Sequence, residues 1–215
     1  MAPFRLLTIE GVIGVGKTSL ARRLARDFGA ELVLEEVERN PFLSDFYTDM
    51  RAYAFQTQIF FLLSRHRQMR DLAQTDLFVE SVVTDYLFAK DQIFAQVTLD
   101  ENELALYQRL LVHLERDIPQ PDLVVYLQAD SRILLERIRQ RGRRYERNIS
   151  LAYLQELTEM YNRFFFHYDR CPLLVVNTNN IDFVANESDF QQLKQEVEHH
   201  RHGIRYYIPS GDREE

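Results

Sequence analysis

Leu6-Leu-Thr-Ile-Glu-Gly-Val-Ile-Gly-Val-Gly-Lys-Thr18 decides the fold of this 215-residue chain. The apolar run Phe4, Leu6, Leu7 and Ile9 predicts a buried strand, and it breaks into Gly11-x-x-x-x-Gly16-Lys17-Thr18. Leu20, Leu24 and Ala25 follow at helical spacing. Strand, glycine loop, Lys-Thr and helix, in that order, is the setting a phosphate-binding loop requires. The glycines let consecutive backbone N–H groups turn inward around phosphate oxygens, and the helix start adds unpaired donors and the positive end of its dipole. Gly11, Gly14, Val15, Gly16 and Ser19 are therefore expected around a donor triphosphate. Lys17 should reach its outer phosphates, and the Thr18 hydroxyl should bind Mg²⁺.

Working outward, Glu31–Leu34 reads as a second strand ending at Glu35-Glu36, and 52–69 as a long aromatic-rich helix. Leu77–Val79 reads as a third strand, followed by Glu80-Ser81. Asp100 with Glu103 three residues on predicts a capping box and a helix. Asp122–Leu127 and Leu173–Val176 are the fourth and fifth strands, nearly all apolar as buried parallel strands are. Asp130 and Ser150 precede two further helices, and Asp189–His199 is the last. The alternation predicts a three-layer α/β domain, a five-stranded parallel sheet with helices on both faces. Ligands of such sheets bind outside the carboxyl ends of the strands, so Glu35, Glu80 and Asn177 should share one crevice with the glycine loop.

Composition narrows the partners. A net charge of −7 argues against general nucleic-acid binding, so a basic patch must be local. The lone Cys171 excludes a disulfide framework and fits a reducing, cytoplasmic setting. Thr8 and Glu10 interrupt the first apolar run too early for a signal peptide, and no other run is long enough to span a bilayer. The histidines at 199, 200 and 202 lack the Cys or acidic partners of a metal cluster and read as a solvated helix end.

Three constellations carry chemistry. Glu35 is placed to receive the proton of an acceptor hydroxyl, although Glu36 beside it leaves the choice between neighbours open. The basic run Arg137 to Arg147 reads as a lid closing over a transferring phosphoryl group, with Gly142 as its flexible point, in preference to an RNA-binding patch. Gln58 and Arg65, two helical turns apart, can point the same way into a pocket, where a Gln amide reads a base edge bidentately.

On these residues the chain resembles the deoxynucleoside kinase family, nearest its bacterial deoxyadenosine/deoxyguanosine kinases. Glu35-x-Val37 and Asn40-Pro41-Phe42-Leu43 match the family's Glu-x-Val and Asn-Pro-x-Leu. The resemblance makes Glu35 the catalytic base, Tyr47 and Glu146 sugar contacts, Gln58 and Arg65 the base-reading pair, and Asp85 the partner of that arginine. Arg137, Arg141 and Arg143 fall on lid arginines around the phosphates, and Asn177 and Asn179 on the loop cradling the donor adenine. The implied fold is a P-loop kinase domain over 1–203 with a lid at about 138–149 and a tail from 204 to 215. The implied activity is ATP- and Mg²⁺-dependent phosphorylation of a deoxynucleoside, purine or deoxycytidine, by a cytoplasmic homodimer. The alternatives are a monophosphate kinase of the thymidylate type and a non-catalytic nucleotide-binding protein.

One departure stands out. The family carries Asp/Glu-Arg-Ser after the third strand, the acid helping to hold Mg²⁺ and the arginine positioning the reacting groups. Val79-Glu80-Ser81 stands here. With a one-residue gap Glu80 becomes the acid and joins Thr18 as a metal ligand; in either register the arginine is missing. Arg137 or a second lid arginine is the expected substitute.

Overall fold

A computed structural model describes residues 4–75 and 80–209. Its strands are β1 (Leu6–Gly11), β2 (Glu31–Val33), β3 (Val82–Thr84), β4 (Leu123–Gln128), β5 (Leu173–Asn177) and β6 (Ile204–Tyr207). They form one sheet in the order β2-β3-β1-β4-β5-β6, with every neighbouring pair parallel. The central strand β1 is buried along its whole length, as its apolar run requires. It pairs Leu7 with Val83 on one side and Leu123 on the other.

Eight helices among the described residues connect and flank the strands. They are α1 (Lys17–Phe28), α2 (Leu43–Phe46), α3 (Met50–Thr75), α4 (Lys90–Thr98), α5 (Glu101–Leu114), α6 (Ser131–Arg141), α7 (Leu151–Phe166) and α8 (Glu187–His199). The predicted capping box opens α5: the Asp100 carboxylate accepts from the Asn102 and Glu103 amides, and Glu103 reaches back to the Asp100 amide. Ser150 caps α7 through the Tyr153 amide. Asp130 stands at the N-cap of α6 without a side-chain capping bond.

Two strand expectations differ. Leu77–Val79 lies outside the described residues, and the third strand is Val82–Thr84, where Val83 is fully buried between β1 and β2. The sheet has six strands instead of five, because Ile204–Tyr207, read as the start of a tail, pairs along β5. That edge strand is mostly exposed, so it carries none of the burial pattern that marks the others.

The core is continuous from α1 through the sheet to α7, where the Tyr126 and Phe165 rings stack with centroids 4.1 Å apart. A second cluster joins α3, α4 and α5 around Leu62, Tyr107 and Leu111. Two glycines, the last residue of β1 and the one before α1, are dictated by their surroundings. Gly11 has φ 150°, and a Cβ there would stand 2.5 Å from the Leu127 carbonyl oxygen. Gly16 has φ 107°, and a Cβ there would meet the Phe183 ring at 2.8 Å. No helix among the described residues is long and apolar enough to cross a membrane.

Candidate active site

The carboxyl ends of β1, β2 and β3 open into a cleft of about 390 Å³. The glycine loop forms one wall, the segment after β2 and the middle of α3 a second, and the lid after α6 the third. Lys17, at the start of α1, turns its ammonium back onto the loop and donates to the Gly11 carbonyl at 2.7 Å and the Val12 carbonyl at 3.3 Å. Burial and the nearby Lys90 charge lower its pKa to about 8, against the pull of Glu10, Glu35 and Asp85.

Glu35 sits two residues past β2, its side chain only 11% exposed. Arg65, from α3, donates through Nε at 2.7 Å and also through Nη2 to Oε1, while Lys90 donates to Oε2 at 2.7 Å. Burial alone would raise this carboxyl, but Arg65 and Lys90 outweigh it and hold it at about 2. Its neighbour Glu36 also lines the cleft but is engaged by Ser64, Arg39 and Arg67.

Asp85 follows the last residue of β3. It accepts from the Thr18 hydroxyl at 2.5 Å and from the Glu35 amide at 2.8 Å, so it ties the glycine loop to the catalytic candidate. This corrects two expectations. Glu80 is exposed and stands at the amino end of β3, a strand length from the loop, so it cannot join Thr18. The acid that does is Asp85. In turn Asp85 does not partner Arg65; that place belongs to Asp91, which accepts from Arg65 Nη1 and, at 2.9 Å, from the Tyr107 hydroxyl. Asp91 is fully buried, and burial raises its pKa against the opposing field of Arg65.

The remaining predicted residues divide. Tyr47, Gln58, Arg65, Arg141, Arg143 and Glu146 all line the cleft. Glu146 is buried and accepts from Arg141 Nη2 at 2.7 and 2.8 Å, and Arg143 rests against the Tyr145 hydroxyl at 2.9 Å. Gly142 is the left-handed C-cap of α6, φ 70°, where the chain turns into the lid. Gln58 Nε2 donates to Thr98 Oγ1 at 3.3 Å, and Thr98 spends its proton on the Phe94 carbonyl. That fixes the amide and leaves Gln58 Oε1 buried without a partner among the described residues. Arg137 is not in the cleft: it donates to the Thr178 hydroxyl and carbonyl at the end of β5. Asn177 and Asn179 shape that same loop, accepting from the Asn179 and Asp130 amides.

Three site residues carried no expectation. Lys90 and Asp91 interrupt the apolar run from Tyr86 to Ala95, and two adjacent charges in such a run are the signal of a buried pair. Glu10, fully buried on β1, accepts from the Gly11 and Leu87 amides and the Tyr161 hydroxyl.

This geometry suits phosphoryl transfer. Loop amides and Lys17 face one side, the Glu35 carboxylate stands just past the end of β2, and arginines border the opening. Comparison with known proteins agrees with it. The family model described as deoxynucleoside kinase matches residues 7–202. A deoxyguanosine kinase of Bacillus subtilis (strain 168) is 36% identical over 91% of this chain and 96% of its own length. A deoxyadenosine kinase of Dictyostelium discoideum is 34% identical over 89% of this chain and 79% of its own. Among solved structures, deoxyadenosine kinase from M. mycoides with bound dATP superposes with a TM-score of 0.78, at 24% identity, over 90% of this chain and 98% of that one. That last likeness concerns the fold.

Proposed function

The chain belongs to the deoxynucleoside kinase family, and from that membership we propose that it moves the γ-phosphoryl group of ATP to the 5′-hydroxyl of a purine deoxynucleoside in the cytoplasm. The observation that carries the reading is Glu35, held as a carboxylate by Arg65 and Lys90 and joined to the donor loop through Asp85 and Thr18.

The roles follow from the geometry. The loop amides and Lys17 hold the donor phosphates. Glu35 accepts the hydrogen bond of the 5′-hydroxyl and aims its oxygen along the line of transfer. A carboxyl with a pKa near 2 is a weak base, so the proton moves to it late, once the new P–O bond has acidified the hydroxyl. Arg141 and Arg143 meet charge spread over the transferring oxygens when the lid closes. Thr18 Oγ1 and the Asp85 carboxylate are hard oxygen donors side by side at the loop, the chemistry Mg²⁺ selects. Bound there, the ion neutralises charge on the donor phosphates.

The acceptor base belongs between Gln58 and Arg65, above a sugar held by Tyr47 and Glu146. Gln58 Oε1, an acceptor lacking a partner, suits an exocyclic amine. Two relatives named for deoxyguanosine and deoxyadenosine support a purine. Asn177 and Asn179 order the loop proposed for the donor adenine, with Arg137 fastening it from beneath. Exposed leucines on α3 and α5 support a homodimer.

Replacing Glu35 by Gln tests the assignment. We expect kcat to fall by ~10²–10⁴-fold while the KM for ATP stays within about threefold, since the donor half is untouched. A kcat within threefold of wild type, measured with each of the four deoxynucleosides, would remove Glu35 from the reaction.

A further inference from the structure

We propose that Lys90 is a positioning residue for phosphoryl transfer: it fixes one oxygen of Glu35 and supplies the positive charge that this chain lacks directly after β3. The inference rests on the kinase reading above and goes beyond it by assigning a residue that no motif marks.

Asp85 occupies the acid's place after β3, so the next residue, Tyr86, stands where the family resemblance expects an arginine. Tyr86 is uncharged and fully buried. The arginines expected as substitutes are held by other partners in this structure. Arg137 is bound to Thr178, while Arg141 and Arg143 rest on Glu146 and Tyr145 at the lid. Lys90 lies four residues past Tyr86, as the first residue of α4, and lines the cleft.

Its placement is unfavourable unless it is used. The residue is 3% exposed, and an ammonium at a helix N-terminus faces the positive end of the dipole. The 2.7 Å bond to Glu35 Oε2 offsets both penalties. Arg65 and Lys90 thus divide the carboxylate, each taking one oxygen. The division matters because Arg65 is also committed to Asp91 and is the expected base reader. When nucleoside engages Arg65, Lys90 is the contact that keeps Glu35 in place. Lys90 also lowers the pKa of Lys17, so its field reaches the donor side of the cleft. A cation between the two halves of the site balances a carboxylate approached by a polyanionic donor.

The test is steady-state kinetics on wild type, Lys90→Met, Lys90→Arg, Glu35→Gln and the Lys90→Met/Glu35→Gln double variant. Lys90→Met should lower kcat by ~10²-fold with both KM values within about threefold, and Lys90→Arg should recover to within about tenfold of wild type. Because Lys90 acts through Glu35, the double variant should turn over within about threefold of Glu35→Gln alone. Lys90→Gln, which keeps a donor but no charge, carries the same expectation as Lys90→Met and replaces it if the latter does not fold. A charge-free variant with kcat within threefold of wild type overturns the proposal, as do losses that multiply in the double variant. A wild-type protein that phosphorylates no deoxynucleoside overturns the kinase reading instead, so the two failures are distinct.

Discussion

Lys17 and Glu35 line the same cleft with pKa values both shifted downward, and each sets one edge of the pH range of the reaction. Glu35 is held at about 2, so its carboxylate is present throughout the neutral range and is lost only as pH falls toward that value. Lys17 is lowered to about 8, so the free enzyme loses its ammonium as pH rises through 8. Bound phosphates favour the charged form and raise that pKa again. The kcat/KM for ATP should therefore show a basic limb near pH 8, and kcat a limb displaced to higher pH. A profile of both parameters between about pH 6 and 10, at saturating nucleoside, reads this directly; a kcat/KM that stays flat past about pH 9.5 contradicts it. Single residues were legible where spacing fixes chemistry. Lys17, Thr18, Gln58 and Arg65 line the cleft as motif and helical period expect, and Tyr47 and Glu146 as the family resemblance implies. Glu80 did not, since an acidic side chain near a strand says nothing about which end of the strand it occupies.

Elements were legible in proportion to their burial. β1 and β4 present long apolar runs, and the capping box of α5 announces its first turn. β3 has only three residues, and Leu77–Val79 is as apolar as Val82-Val83, so the register slipped and took the acids with it. β6 shows no burial period to find. What the sequence conceals most completely is Glu10, whose charge looks like an interruption of β1. Its carboxylate joins three elements, accepting from Gly11 at the loop, Leu87 before α4 and Tyr161 on α7. The loop is thereby fixed relative to the segment that delivers Asp85 and Lys90. In Glu10→Gln an amide NH₂ must face a backbone N–H, leaving a buried donor unpaired. We expect a loss of about 1–3 kcal/mol, or a fall in Tm of roughly 3–10 °C for a chain of this size. Calorimetry on the purified variant checks it, and a Tm within about one degree of wild type would show that Glu10 is not a strap.

At the scale of the molecule, the reaction centre is connected to an outer surface. Tyr107 of α5 donates to Asp91, Asp91 holds Arg65, and Arg65 holds Glu35, a buried chain of polar contacts from a peripheral helix to the acceptor site. α5 packs on α3 through Leu62, Tyr107 and Leu111, yet the same two helices leave Leu63, Leu106 and Leu110 at least 40% exposed. Leu106 and Leu110 are one turn apart and so share a face. Two helices that present leucines to solvent beside a fully apolar seam have the pattern of a subunit interface, and this supports the proposed homodimer. A stable contact needs about 1,000 Å² or more of buried surface, which the 14-residue α5 and 26-residue α3 have the length to supply together. Wild type should sediment as a dimer at micromolar concentration. Leu106→Glu/Leu110→Glu places two carboxylates on that face and should yield a monomer that keeps its secondary structure. If the relay from Tyr107 to Glu35 depends on α5 being seated, that monomer should also lose kcat while retaining ATP affinity. A wild-type monomer overturns the homodimer, and a double variant that remains dimeric places the interface on another face.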